Sequence, residues 1–257
     1  MTRQTFTKAY ATETQRVRAQ RNHEWLSCHA EPMALPPIIE SRPRALTFTR
    51  VEGQHPEPHD LERVAQHLGS CHGSAWHGCL HKAQLAKTYV SDGHVLAGFI
   101  GPRAAVLRQR FHDGYIASAQ ALDATFTLLR KTAGRPATFY KDSNPRNILI
   151  TPAGPLVTID TDDLTLAPFG YDLAKLVVTL SMTHGPLEDV QVNGALAAYN
   201  SAAAAHHPRL GETTLTQLME YAELHGFLTA PYLGRGDYRW PWTRVRPTPT
   251  PRRPTCT

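Results

Sequence analysis

Residues 139–151 read FYKDSNPRNILIT, and residues 157–176 read VTIDTDDLTLAPFGYDLAKL. Ile148-Leu149-Ile150 and Leu156-Val157-Thr158-Ile159 are short β-branched runs joined by Thr-Pro-Ala-Gly-Pro, which predicts a hairpin. Asn147 precedes the first arm and Asp160 follows the second, nearly equidistant from the turn at Ala153-Gly154. Antiparallel pairing sets such positions side by side. Asp142 stands just ahead, in Asp142-Ser-Asn-Pro-Arg-Asn147. Three oxygen-bearing groups, Asp142, Asn147 and Asp160, are therefore expected around one cleft.

Magnesium takes hard oxygen ligands, few from protein and the rest from phosphate and water. An Asn and an Asp at adjacent strand ends meet that demand. A separate carboxylate facing an acceptor hydroxyl would orient it and take its proton. Kinase-type phosphoryl transfer uses this layout, because positioning and charge neutralisation provide most of its catalysis. The bland reading of Asp-Ser-Asn-Pro is turn chemistry, and it is the succession of hairpin, Asp160 and Gly170-Tyr-Asp-Leu-Ala174 that argues against it. Asp162 and Asp163 compete with Asp160 for the metal role but read as solvated loop carboxylates.

Taken together, these segments resemble the catalytic core of the aminoglycoside phosphotransferase family, small-molecule kinases with a protein-kinase-like fold. In that family a His-Gly-Asp-x-x-x-x-Asn loop leads to a hairpin, an Ile-Asp metal motif and a Tyr-Asp-Leu-Ala helix start. The resemblance implies that Asp142 is catalytic, that Asn147 and Asp160 hold Mg²⁺, and that Asp172 braces the catalytic loop from the central helix. It also implies ATP or GTP as co-substrate and a small-molecule hydroxyl as acceptor. Lys8, in Phe-Thr-Lys-Ala-Tyr, looks like the strand lysine that pairs the nucleotide phosphates, with Glu13 and Glu24 as candidate helix partners. His72 resembles the family's Leu-x-x-x-His helix end.

Two departures are visible. The family's His-Gly-Asp reads Tyr140-Lys141-Asp142, which keeps the carboxylate but alters the loop's packing. Seven residues precede Lys8, whereas two strands and a glycine-rich phosphate loop need about 20 or more. The expected fold is thus α+β, a protein-kinase-like two-lobe fold with a truncated N-terminal lobe and a mainly helical C-terminal lobe. The missing loop motivates the alternative of a pseudokinase-like binding or regulatory protein.

Outward from the core, residues 1–54 read as the small lobe. Strands are expected at Thr5–Tyr10, around Pro36–Ile39 and at Ala45–Val51, with a helix over 12–26. Residues 55–238 read as the helical lobe, with helices after Asp60, over 115–131, 173–182, 187–204 and 213–225, the last stopped by Gly226. Residues 239–257, rich in Pro and Arg, are expected as a disordered tail. Cys71, His72, His77, Cys79 and His81 cluster, but without zinc-site spacing.

Composition restricts the partners. In 257 residues, 27 Lys and Arg face 22 Asp and Glu, a formal charge of +5. The tail's five arginines carry the whole excess, so a basic face tracking nucleic acid is not expected. No apolar run is long enough for a membrane span and no secretory signal is visible. Four cysteines without a pairing framework suggest free thiols and a cytoplasmic protein.

Overall fold

The computed structural model describes residues 4–247. Strand β1 (Thr5–Ala9), helix α1 (Glu13–His29), β2 (Ile38–Arg42) and β3 (Ala45–Thr49) build the small lobe. The three strands form an antiparallel sheet in the order β1-β3-β2, with Lys8 opposite Leu46. Leu46 and Phe48 alternate inward along β3 and meet Ala19 of α1 in a small separate core. Thr12 and Gln15 cap α1 reciprocally, which fixes its start one residue beyond the predicted one.

The larger lobe begins with α2 (Leu61–Gly78) and continues through β4 (Tyr89–Ser91), β5 (His94–Leu96), α3 (Ile100–His112), α4 (Ala119–Lys131) and β6 (Ala137–Tyr140). It then runs through β7 (Ile148–Ile150), β8 (Leu156–Thr158), β9 (Thr165–Pro168), α5 (Tyr171–His184), α6 (Asp189–Ala204), α7 (Leu215–Thr229) and the short α8 (Trp242–Val245). The predicted hairpin is β7–β8, paired Ile148 to Thr158. Beside it β6 pairs antiparallel with β9. Asp60 does not cap α2 with its side chain; its carboxylate accepts from the Glu57 N–H at 3.0 Å.

Helix α5 is the centre of the main core, with Tyr171 through Met182 all buried. α2 and α6 pack so closely that a Cβ on Gly69 would sit 2.3 Å from the Tyr199 carbonyl oxygen. That approach brings the Tyr199 hydroxyl under His72, a contact the active site uses. No helix among the described residues is long and apolar enough to cross a membrane.

The C-terminal segment differs from expectation. Residues 239–247 are not a disordered tail. The Arg239 and Trp240 N–H groups donate to the Met182 carbonyl at 2.8 and 3.0 Å, and Trp242 and Val245 are buried. Trp242 donates its indole N–H to Glu223 at 2.9 Å. Its ring lies where a Cβ on Gly226 would be, 2.5 Å from Cδ1. Gly226 therefore does not end α7, which continues to Thr229; it admits the tryptophan. Composition suggested disorder, but two apolar side chains and two backbone hydrogen bonds outweigh the prolines. Residues 248–257 of the expected tail lie outside the described residues.

Candidate active site

Asp142 lies two residues beyond the end of β6 and has φ 65°, in the left-handed region that Asp tolerates better than most residues. Its carboxylate accepts from the Tyr140 hydroxyl at 3.1 Å and from Asn147 Nδ2 at 3.3 Å, and is ion-paired with Lys175 Nζ. Asn147 Nδ2 also donates to the Asp142 carbonyl at 2.9 Å. One amide thus holds both ends of the loop, and the single turn of 3-10 helix at Pro145–Asn147 closes it. Asp142 and Asn147 are in direct contact, as the sequence spacing predicted.

Asp160 reaches the same end of the hairpin: the Ile159 N–H donates to the Asn147 carbonyl at 2.9 Å. Its Oδ1 accepts from Lys8 Nζ at 3.1 Å and from the Asp162 N–H at 3.0 Å. Lys8 also pairs with Asp162 at 2.7 Å. The small lobe's lysine is therefore seated on the large lobe's carboxylates. Burial pulls the Lys8 ammonium's pKa down, but hydrogen bonds and charges from Asp162 and Asp160 more than offset it, so it rises above the usual lysine value. Neither expected glutamate reaches Lys8. Glu13 pairs with Arg16 and Glu24 accepts from Gln20. Asn22 does the docking of α1 instead, its Nδ2 donating to the carbonyls of Thr161 at 2.8 Å and Asp162 at 2.9 Å.

Asp172 is fully buried at the start of α5. Its two oxygens accept from the Lys141 N–H at 3.2 Å and the Ser143 N–H at 3.4 Å, the residues on either side of Asp142. His72 Nε2 lies 3.5 Å from the same carboxylate. His72 Nδ1 is 2.7 Å from the Tyr199 hydroxyl, which accepts from the Gly170 N–H at 2.9 Å. The Tyr199 hydroxyl thus ties His72 on α2 to the start of α5. His72 is thereby engaged in the core. No metal-holding cluster of three His, Cys, Asp or Glu side chains exists among the described residues.

Sequence reasoning missed Lys175 and Lys141. Lys175, on α5, is buried; burial lowers its pKa, while Asp142 more than restores it. Its register after Asp172 on a helix known to be central was the available signal. Lys141 is equally buried but its Nζ has no hydrogen-bond partner among the described residues, and burial pushes its pKa down to about 8 despite Asp142, Asp160 and Asp172 nearby. A lysine whose folded pKa lies below its unfolded value near 10.5 binds fewer protons in the native state, so stability grows as pH rises from about 8 towards 10.5. Lys141→Met should lack that increment and be the more stable protein at neutral pH. Urea midpoints of both proteins at about pH 7 and about pH 9.5 test this, the difference between them shrinking at the higher pH.

A metal ion at this site would find two oxygens without hydrogen bonds from described residues, Asn147 Oδ1 and Asp160 Oδ2. Two protein oxygens, with phosphate and water completing the shell, suit Mg²⁺. Beside Asp142 opens a cavity of about 560 Å³, walled by α3, α7, Tyr232 and Tyr238. The sequence reading expected an acceptor between the hairpin and the C-terminal helices; this cavity is lined by α3 as well as by C-terminal residues.

Family comparison agrees with this geometry. The profile of the phosphotransferase enzyme family matches residues 16–212. The chain belongs to that family. Small-molecule phosphoryl transfer is the activity that the phosphotransferase enzyme family and the kinase-like fold support. Among solved structures, choline kinase from Streptococcus pneumoniae superposes with a TM-score of 0.60 at 14% identity, over 90% of this chain and 78% of that one. The macrolide 2'-phosphotransferase of Brachybacterium faecium gives 0.53 at 15% identity, covering 96% and 86%. An aminoglycoside phosphotransferase from Streptomyces rimosus, solved with ADP and streptomycin, gives 0.51 at 18% identity, covering 88% and 86%. At these identities the likeness is one of fold. No curated protein sequence matches the chain.

Proposed function

We propose that this phosphotransferase moves the γ-phosphoryl group of ATP or GTP to a hydroxyl of a small molecule, with Mg²⁺ held by Asn147 and Asp160. The contact of Asp142 with Asn147, at the hairpin end that also carries Asp160, is the observation that supports it most. The metal ion, when bound, supplies positive charge for the phosphate oxygens. Asp142 accepts the hydrogen bond of the acceptor hydroxyl and takes its proton as the new P–O bond forms. Lys175 is ion-paired with that carboxylate and holds it in place, and the Tyr140 hydroxyl fixes its orientation. Lys8 exchanges its carboxylate partners for nucleotide phosphate oxygens, a compact charge suited to that role. Asp172 holds the backbone on both sides of Asp142 and touches no substrate.

Mg-ATP or Mg-GTP should raise the melting temperature of the protein, by the equivalent of about 2.7 kcal/mol at a hundred times Kd. Lys8→Ala should remove most of the shift. No shift with either nucleotide at millimolar concentration would favour a regulatory protein without turnover.

A further inference from the structure

We infer that the acceptor is a small hydroxyl compound bearing an anionic group, a hydroxylated carboxylate rather than a polyamine, and that Arg110 and Arg103 receive that group. This deepens the phosphoryl-transfer reading and rests on it, because it takes the cavity beside Asp142 as the acceptor side.

The cavity's volume of about 560 Å³ falls within the range of small-molecule sites. Its charged lining is Arg103, Arg110, Lys175, Asp142 and Asp163. Lys175 and Asp142 are committed to each other. Asp163 is the remaining lining carboxylate, its carboxyl pushed up by burial and by the neighbouring Asp142 charge. Against it stand two guanidiniums, so the uncommitted charge of the wall is net positive. Arg103 is 7% exposed and makes no ion pair with any described carboxylate. Its guanidinium lies over the rings of Phe99, Tyr140 and Tyr171 at 4.1, 4.8 and 4.8 Å, which fixes its place in the wall.

Arg110, about two turns further along the same face of α3, is the less satisfied of the two. Its nearest carboxylate is Asp113 at 3.9 Å, the outer edge of ion pairing, and Nη2 reaches the Leu228 carbonyl only at 3.5 Å. Its Nε is buried without an acceptor. Such a wall attracts a carboxylate, for which the guanidinium fork is the matching donor. It repels an ammonium-rich acceptor, since like charges brought together in a desolvated site are unfavourable. His225 adds no acid: burial holds its imidazole well below the usual range, so it is neutral.

Two probe sets, each matched in carbon skeleton and differing in charge, test this on the full chain by calorimetry, at ionic strength equalised with sodium chloride. The first is gluconate, glucitol and glucamine; the second is glycerate, glycerol and 3-amino-1,2-propanediol. At least one carboxylate should bind saturably and about tenfold or more tighter than its neutral and cationic partners. Arg110→Ala should erase most of that preference, and Arg110→Glu should reverse it towards the amine. The wild-type ranking decides the matter even if a variant folds poorly. Absence of saturable carboxylate binding up to about 50 mM, tighter binding of an amine, or an unchanged preference in a folded Arg110→Ala protein would each overturn the inference. Mg-ATP and Mg-GTP binding, measured in parallel, separates the two ideas. Nucleotide binding without carboxylate binding sinks the acceptor class alone; carboxylate binding without nucleotide binding sinks phosphoryl transfer and leaves the arginines as an anion site with no acceptor role.

Discussion

Asp142→Asn should lower turnover by about 10²- to 10⁴-fold, the range for loss of a general base. Nucleotide binding should change little, because the residues proposed to meet metal and phosphate are Asn147, Asp160 and Lys8. Asparagine is the informative substitution. It keeps the size of the side chain and tolerates the left-handed backbone at φ 65°. It can still accept from Tyr140, but it cannot take a proton or offset the charge of buried Lys175. The unpaired ammonium should also cost stability, so the rate must be read at a temperature where the variant is fully folded. Activity within about tenfold of the unmodified protein would remove Asp142 from the proton-transfer role.

Asp172→Ala should be the most destabilising single change at the site, by about 3–5 kcal/mol. It orphans the buried N–H groups of Lys141 and Ser143 at about 1–3 kcal/mol each. Asp172→Asn leaves one carbonyl oxygen to accept and should cost roughly half as much. Urea unfolding read by linear extrapolation measures both. A loss under about 1 kcal/mol for the alanine variant would mean that the loop is held by other contacts. In the asparagine variant, turnover should fall although no reacting atom is touched, since the peptide groups flanking Asp142 lose one of their two anchors.

The parts of the fold legible in sequence were those with local signals. The hairpin was readable from β-branched runs around a turn, and α5 from apolar residues on every face. The hairpin β4–β5 and the β6–β9 pair were not. Their strands have three or four residues, too short for alternation to register, and the partners of β6 and β9 are far apart in the chain. α3 escaped notice because only Arg103 and Leu107 of its residues are buried, leaving almost no apolar periodicity. At the site, residue types with few alternatives, Asp142 and Asn147, were readable from spacing. Lys175 was passed over although its register after Asp172 offered a signal, and Asn22 was not readable because an asparagine inside a mostly polar helix carries no spacing signature. The partner of Lys8 was sought on a helix by analogy, whereas the structure supplies it from the loop after the hairpin.

The network joining His72, Asp172, Tyr199 and Gly170 draws on α2, α5 and α6, whereas Arg110, Leu228 and Tyr232 of the cavity wall belong to α3, α7 and the segment after it. Asp142 and Lys175 line that cavity too, but the brace behind them does not. Substitutions at Arg110, Leu228 or Tyr232 can therefore reshape the cavity without disturbing the buried contacts that hold the loop around Asp142.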